Sequence, residues 1–157
     1  MCAIISLICY VQKYKVTFMK KFLFVCTGNT CRSPMAGGIF NKLSAEKGWQ
    51  ATAKSAGLYV TEPMVSENSL NVCLENGIDI SSHIPTQITA ELINEADVIL
   101  TMTSSHKVAF GGMDKVFTVA EYFGGNGDVI DPYGGSIEIY RETYGQLEKL
   151  IGNYHED

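Results

Sequence analysis

A cysteine and an arginine near the start of the chain are spaced so that both could act on one phosphate group. The stretch VCTGNTCRSPM, residues 25–35, places Cys26 six residues before Arg32 in a chain that has only two arginines. A thiolate is a strong nucleophile, and the planar guanidinium of arginine can bind two phosphate oxygens at once. The spacing alone is a weak signal, so its structural setting decides how it is interpreted.

The segments around this stretch predict a strand, a loop and a helix. KKFLFVC, residues 20–26, is an apolar run rich in β-formers, and we expect a buried strand there. Ser33 is the expected cap of the following helix, with Pro34 in its first helical position and Gly48 at its end. The cysteine would then lie where the strand ends and the loop begins.

The loop between these elements, residues 26–33, which we name the cysteine loop, has the properties of an anion site. Its backbone N–H groups can point inward beside the positive end of the helix dipole. Gly28 and Asn29 tolerate the positive φ that such a tight loop requires. The same donors, together with Arg32, are expected to lower the pKa of Cys26 and favour its thiolate. A thiolate below a bound phosphoryl group is an in-line nucleophile, so the loop predicts phosphoryl transfer.

A proton donor for the leaving group is predicted in GGNGDVIDPYGGS, residues 124–136, the acid loop. Asp131 precedes a proline that holds it extended, and the flanking glycines allow the loop to close over a substrate. An Asp-Pro turn at the surface is the ordinary interpretation of this dipeptide. The cysteine loop is what favours the catalytic interpretation.

The rest of the chain alternates strands and helices. We expect further strands at 49–57 and 97–102, and a strand followed by a helical turn within 114–123. Helices are expected at 65–77, 89–96 and 137–154, the first of them capped by Ser66 and ended by Gly77. This order predicts a single-domain α/β fold: a four-stranded parallel sheet with helices on both faces, a flavodoxin-like three-layer sandwich. Ligands of such folds bind at the carboxyl ends of the strands, where the cysteine loop lies.

Composition narrows the class of protein. The 157 residues carry a net charge of −5, with 46% hydrophobic and 18% charged residues, which is typical of a globular domain. There is no basic block, so we expect neither nucleic acid nor a membrane as a partner. The three histidines and five cysteines show no metal-ligand spacing, and the odd number of cysteines indicates a reducing cytoplasm. Residues 1–18 are interpreted as a poorly ordered extension, and 19–157 as the domain.

With these motifs in the right order, the chain resembles the low-molecular-weight protein tyrosine phosphatase family over about residues 19–154. The resemblance rests on VCTGNTCRSPMA, SAG at 55–57, GIDISSH ending at His83, DVILTM and DPYGGS. It implies that Cys26 attacks phosphorus and forms a phosphocysteine, that Arg32 binds the equatorial oxygens, and that Asp131 protonates the leaving atom and then activates water.

The resemblance also implies a wider set of site residues. The predicted substrate-binding residues are Thr27, Gly28, Asn29, Thr30, Cys31, Ser33 and Tyr133, and the predicted loop-supporting residues are Ser55 and His83, which with Asn29 and Ser33 match the family's hydrogen-bond network. Ser33 is also placed to hydrogen-bond the thiolate. No metal and no cofactor is implied, and we expect a cytoplasmic monomer that acts on phosphorylated proteins.

The predicted substrate depends on Thr30. Family members that act on phosphotyrosine typically have isoleucine there, whereas threonine resembles the bacterial protein arginine phosphatases. A hydroxyl narrows and polarises the pocket, which suits a phosphoguanidinium better than a phenyl ring. The sequence DPYGG leaves Tyr133 as one aromatic wall where tyrosine phosphatases often have two, and Asp131 could pair with the substrate guanidinium. We expect phosphoarginine, with phosphotyrosine as the alternative.

Two other functions are less favoured. Thiol-linked arsenate reductases of this family need two further cysteines, and Cys73 is alone in the downstream region. A non-catalytic anion-binding module of flavodoxin-like type is opposed by the coexistence of Cys26, Arg32 and Asp131. The family resemblance departs at Gly37, where a glutamate is usual, and this affects the expected stability of the helix rather than its chemistry.

The second cysteine of the loop suggests redox control. Cys31 could capture an oxidised Cys26 as a disulfide before irreversible oxidation, provided that the loop curls enough to bring the two residues together. The alternative is that Cys31 is a packed small side chain, which is how Cys2, Cys9 and Cys73 are interpreted.

Overall fold

Four parallel strands form the centre of the chain. The structure is a computed structural model and describes residues 18–156, so that the predicted extension lies outside the described residues except for Phe18. The strands are β1 (Lys20–Cys26), β2 (Ala51–Gly57), β3 (Val98–Thr101) and β4 (Val116–Thr118), arranged in the order β2-β1-β3-β4. The predicted fold class is confirmed, and β2 begins two residues later than expected.

Helices connect and follow these strands. In the described part of the chain they are α1 (Arg32–Lys47), α2 (Glu67–Glu75), α3 (Ala90–Glu95), α4 (Ser104–Val108), α5 (Val119–Phe123) and α6 (Ile137–Ile151). Helix α4 was not expected, because its five residues are too few to show a helical period. The closing helix ends three residues earlier than expected. None of the described helices is long and apolar enough to span a membrane.

Both faces of the sheet are covered. Phe22, Phe24 and Cys26 alternate along β1 and face one hydrophobic cluster, which also holds apolar residues of α1 and α6. Leu23 and Val25 point to the opposite face, where a smaller cluster forms. Successive side chains of a strand point to opposite faces of the sheet, and both faces of β1 are covered. Every side chain of β1 after Lys21 is therefore buried, which explains its uninterrupted apolar run.

The start of α1 differs from the prediction. The helix begins at Arg32 rather than Pro34, and its N-cap residue, Cys31, makes no side-chain capping bond. Ser33 does not cap, because its hydroxyl is engaged with Cys26 and Asn29. Pro34 is still tolerated, since the first four N–H groups of a helix have no intrahelical partner. The helix ends as predicted at Gly48, which has φ +70°.

Candidate active site

The cysteine loop lies at the carboxyl end of β1, where the chain order of the sheet reverses. From β1 the chain crosses to β2 on one side, and β3 lies on the other, which makes this end the usual ligand site of an α/β sheet. A cleft of about 220 Å³ opens there. Its predicted lining residues are Cys26, Thr27, Gly28, Thr30, Cys31, Arg32, Asp131 and Tyr133, and it is also lined by Tyr59, Thr61 and Glu62, which the sequence analysis missed.

Asn29 is the centre of the hydrogen bonds that hold the loop. It is buried and, alone among the non-glycine residues that the structure describes, has a positive φ, of 55°. Its amide nitrogen donates to Ser33 Oγ at 2.7 Å and to Ser55 Oγ at 2.9 Å. Gly28, the other residue that tolerates a positive φ, does not adopt one. A single left-handed residue is enough to turn this loop.

The amide oxygen of Asn29 is held from the other side. It accepts from the backbone N–H of Thr86 at 2.9 Å, and the Nε2 of His83 lies 2.9 Å away as a second donor. Burial lowers the pKa of His83, while the bond to Asn29 raises it. The structure thus brings together the four residues of the predicted network, and it adds the Thr86 backbone, for which a side-chain pattern gives no signal.

The thiol of Cys26 is almost completely buried beside this network. Ser33 Oγ lies 2.9 Å from its Sγ, and the backbone N–H of Asn29 points at the same atom from 3.3 Å. Because Ser33 Oγ already accepts from Asn29, it can donate its own hydrogen to the sulfur at 2.9 Å or to the Ala56 carbonyl at 3.5 Å, and the sulfur is the nearer acceptor. Thr30 and Cys31 line the same cleft, but neither is hydrogen-bonded to Cys26.

The expectation that the pKa of Cys26 is lowered needs correction. Burial raises the pKa of the Cys26 thiol, while the hydrogen bonds from Ser33, the charge of Arg32 and the bond from Asn29 lower it. The loop and the guanidinium act in the expected direction, but burial outweighs them. Burial cannot be read from the local sequence, because the depth of a strand end depends on what packs above it.

Arg32 and Asp131 meet although they lie far apart in the sequence. Their side chains form an ion pair of 3.1 Å, in which the Arg32 side chain is 6% exposed and that of Asp131 is 57% exposed. Arg32 also donates to the backbone carbonyl of Val129 at 3.5 Å. The guanidinium is therefore a buried wall of the cleft, whereas the carboxylate lies at its mouth.

Two tyrosines border the cleft, so the prediction of one aromatic wall is wrong. Tyr133 follows Asp131 in the acid loop, and Tyr59 comes from the loop after β2. The backbone N–H of Tyr59 donates to the Thr27 carbonyl at 2.8 Å. This close approach requires Gly57, since a Cβ there would lie 2.6 Å from the same carbonyl. The glycine of the SAG motif is the sequence feature that could have predicted this close approach of the two loops.

Cys31 and Cys73 differ in their surroundings. Both are buried free thiols. The Sγ of Cys31 is 3.3 Å from the hydroxyl of Tyr140 and 3.5 Å from that of Ser66, within the wall of the cleft. Cys73 does not line the cleft, and burial raises its pKa to about 12. Among residues 18–156 no cluster of histidine, cysteine and acidic side chains could hold a metal ion.

Comparison with known proteins agrees with this geometry. The family described as "Low molecular weight phosphotyrosine protein phosphatase" matches residues 21–157. The chain belongs to this family, and the predicted enzyme class, a protein phosphatase, is confirmed with it.

Relatives within the family carry two kinds of name. The chain is 40% identical over 136 residues to the protein-arginine-phosphatase of Bacillus subtilis (strain 168), covering 82% of this chain and 90% of the relative. It is 39% identical over 137 residues to the low molecular weight protein-tyrosine-phosphatase PtpB of Staphylococcus haemolyticus (strain JCSC1435), covering 84% and 95%. A solved structure of a YwlE arginine phosphatase variant with a phosphorylated active-site serine is similar at a TM-score of 0.80 and 39% identity, covering 85% and 91%.

Proposed function

We propose that this protein hydrolyses phosphoarginine in proteins through a phosphocysteine on Cys26. The observation that carries the proposal is the polar lining of the cleft, where the hydroxyl of Thr30 and the carboxylates of Glu62 and Asp131 accompany the buried cysteine. A phosphoguanidinium brings N–H donors and positive charge, which these groups can bind. A relative of 40% identity bears the name protein-arginine-phosphatase.

The geometry supports a two-step reaction. The Cys26 thiolate attacks phosphorus, while Arg32 and the loop N–H groups bind the phosphoryl oxygens and stabilise their developing charge. The bond between phosphorus and the guanidino nitrogen breaks, and protonated Asp131 gives its proton to that nitrogen. Water then attacks the phosphocysteine, its proton passes to Asp131, and phosphate leaves as the thiolate re-forms.

The ion pair between Asp131 and Arg32 supports the choice of substrate. It shows a carboxylate at the mouth of the cleft in contact with a guanidinium, which is the group that the substrate would bring. When a phosphoryl group takes over the guanidinium of Arg32, Asp131 can turn to the guanidinium of the substrate. Its 57% exposure leaves room for that change of partner.

Phosphotyrosine is the second candidate, and the two tyrosines favour it. Tyr59 and Tyr133 can enclose a phenyl ring, and the PtpB relative is named a tyrosine phosphatase. Tyrosine rings also bind guanidinium cations by cation–π contact, so they suit both substrates. The residue that distinguishes the two is Thr30.

The test compares kcat/KM on phosphoarginine and phosphotyrosine peptides of the same sequence. Thr30→Ile should raise activity on phosphotyrosine relative to phosphoarginine, because the larger apolar side chain packs an aryl ring and crowds the guanidinium. Thr30→Val removes the hydroxyl at constant volume and separates polarity from size. A wild type that prefers phosphotyrosine, or a ratio that Thr30→Ile leaves unchanged, would exclude the arginine proposal.

A second experiment tests the nucleophile. Cys26→Ser should abolish hydrolysis of p-nitrophenyl phosphate, whereas the matched control Cys73→Ala should retain it, because Cys73 is buried and does not line the cleft. The burial of Cys73 also counts against arsenate reduction, which needs accessible relay thiols. Activity in Cys26→Ser would refute the mechanism for either substrate.

We propose in addition that Cys26 and Cys31 form a protective disulfide. Peroxide would oxidise the Cys26 thiolate to a sulfenic acid with release of hydroxide, and the Cys31 thiol would displace water to form the disulfide. Both cysteines line the cleft. Peroxide should inactivate the enzyme and dithiothreitol restore it, while Cys31→Ser loses the recovery. Only over-oxidised Cys26, or a bridge to Cys73, by mass spectrometry would contradict this proposal.

We propose finally that residues 19–157 form a catalytic domain that acts as a cytoplasmic monomer. The free thiols of Cys26, Cys31 and Cys73 support a reducing compartment. The first strand begins at Lys20, which supports the proposed boundary. Light scattering on the full chain and on residues 19–157 tests the oligomeric state and the boundary together.

A further inference from the structure

His106 is a buried histidine beside the cysteine loop to which the reaction above gives no role. It lies in the short helix α4 and is 8% exposed. Its Nε2 is 2.8 Å from the hydroxyl oxygen of Thr27, the residue that follows Cys26. The two residues are 79 positions apart in the chain, so only the fold brings them together.

The two ring nitrogens of His106 are in different situations. Its Nδ1 is the one buried side-chain nitrogen or oxygen in residues 18–156 that has no hydrogen-bond partner. Burial lowers the pKa of His106 and Arg32 lowers it further, while Asp131 and Asp128 raise it, and the net lowering favours the neutral ring. A neutral imidazole carries its hydrogen on one nitrogen only.

The unpartnered Nδ1 indicates which nitrogen carries the hydrogen. A hydrogen on Nδ1 would be a buried donor without an acceptor, and buried polar groups of that kind are rare and costly. A hydrogen on Nε2 can instead be donated to Thr27 Oγ1. In that tautomer the hydroxyl of Thr27 accepts from His106, and its own hydrogen stays free for another acceptor.

The free hydroxyl hydrogen has one obvious destination. Thr27 lines the cleft together with Cys26 and Arg32, the two groups that would contact a phosphoryl group. We propose that Thr27 donates its hydroxyl hydrogen to a phosphoryl oxygen, and that His106 is the positioning residue that holds this hydroxyl as a donor. The loop would then offer a side-chain donor in addition to its backbone N–H groups and Arg32.

The helix that carries His106 is also hydrogen-bonded to the acid loop. The backbone N–H and the hydroxyl of Ser104, at the start of α4, both donate to Asp128, at 2.8 and 3.1 Å. Thr103 caps the helix by accepting from the backbone N–H of His106 at 3.1 Å. The helix is therefore tied to both loops of the active site, and His106 has little freedom to leave Thr27.

Two variants each remove one partner of the hydrogen bond between Thr27 and His106. Thr27→Val deletes the hydroxyl at constant volume, and His106→Leu deletes the ring nitrogen. Each should lower kcat/KM for p-nitrophenyl phosphate and raise the inhibition constant of inorganic phosphate by roughly tenfold or more, the loss expected for one hydrogen bond to a charged group. The double variant should lose no more than the worse single variant, because both act through one hydroxyl.

Two further variants separate positioning from general destabilisation. His106→Gln places an amide donor near the former Nε2 and should restore phosphate binding relative to His106→Leu. Lys107→Met changes the neighbouring, partly buried residue of α4, which pairs with Glu121, and should leave phosphate inhibition unchanged. The proposal is overturned if Thr27→Val binds phosphate as the wild type does, if the two losses add fully, or if glutamine fails to restore binding.

The tautomer gives a spectroscopic test on the unmodified protein. With ¹⁵N-labelled histidine, long-range ¹H–¹⁵N spectra should show the His106 ring neutral at pH 7 with its hydrogen on Nε2. Finding the hydrogen on Nδ1 would make Thr27 the donor to His106, and the hydroxyl could then not serve a phosphoryl group.

Discussion

The cysteine loop and the acid loop meet at one cleft but are held in opposite ways. In the cysteine loop Asn29 and Ser33 are 0% exposed. The side chain of Asn29 is hydrogen-bonded to four residues: Ser33, Ser55, His83 and Thr86. In the acid loop Tyr133 is 69% exposed, and the side chain of Asp131 is 57% exposed. The groups that must stabilise charge without reorganising are thus buried in a network, while the group that must change partners during the reaction lies in solvent.

This difference has a physical reason. Donors fixed before the reaction act on developing charge without further cost, which favours a rigid loop. A carboxylate that first carries a proton and then accepts one from water needs access to both the leaving atom and solvent. Glycines at 124, 125, 127, 134 and 135 leave the acid loop with few side chains to pack, and Gly124, Gly127 and Gly134 adopt a positive φ.

The largest expected effect comes from the acid loop. Asp131→Asn should reduce kcat on phenyl phosphate by about 10²–10⁴-fold, the usual contribution of a general acid, and much less on p-nitrophenyl phosphate, whose leaving group needs no proton. The free energy of unfolding should change by at most about 1 kcal/mol, because the Asp131 carboxylate is 57% exposed and water screens its pair with Arg32. Asp114→Asn is the exposed control. Equal losses on both substrates would remove Asp131 from the acid role.

Disturbing the cysteine loop should reduce stability and activity together. Asn29→Ala leaves Ser33, Ser55 and His83 without their partner and should lower the free energy of unfolding by about 2–3 kcal/mol, with a parallel fall in kcat/KM. The matched change in the acid loop, Asn126→Ala, affects an exposed side chain and should alter neither quantity. Urea unfolding and p-nitrophenyl phosphate assays measure both. An Asn29→Ala protein of wild-type stability would break the contrast between the loops.

A smaller change should act on the pKa of the nucleophile, besides removing one of the bonds that Asn29 makes in the loop. The hydrogen bond from Ser33 lowers the pKa of Cys26, so Ser33→Ala should raise that pKa further. Since the thiolate is the reactive form, the acid limb of the kcat/KM profile and the pH dependence of Cys26 alkylation by iodoacetamide should both move to higher pH. A limb that stays in place, or moves to lower pH, would contradict the assigned contact.

The smallest expected effect lies in α1, just beyond the loop. Gly37→Ala should stabilise the protein by up to about 1 kcal/mol, because the added Cβ meets only Ser55 Cβ, at 3.9 Å. Gly38→Ala should gain less or lose stability, since its Cβ would lie 2.9 Å from Ile78 Cγ2. Thermal unfolding ranks the two variants. Neither should change kcat/KM, and a change would show that the rigidity of the cysteine loop extends into the helix.

Local signals in the sequence predicted most elements well. The run at 20–26 predicted β1 to the residue, Ser66 accepts from the backbone N–H of Ser69 as a cap should, and Gly48 ends α1. These features depend on a few neighbouring residues, which is why pattern analysis finds them. The start of α1 was predicted incorrectly for the same reason, because the hydroxyl of Ser33 is used by residues outside the helix.

The sequence by itself determined the chemistry that this protein can perform: a cysteine and an arginine in one loop between a strand and a helix, and an aspartate in a loop rich in glycine. Only the tertiary structure decided how deeply Cys26 is buried, that Tyr59 joins Tyr133 at the cleft, and that His106 contacts Thr27. These contacts join residues from different loops and helices, and their distances depend on how the sheet orders its strands. Short sequence patterns cannot predict that order, because it results from the packing of all the elements together.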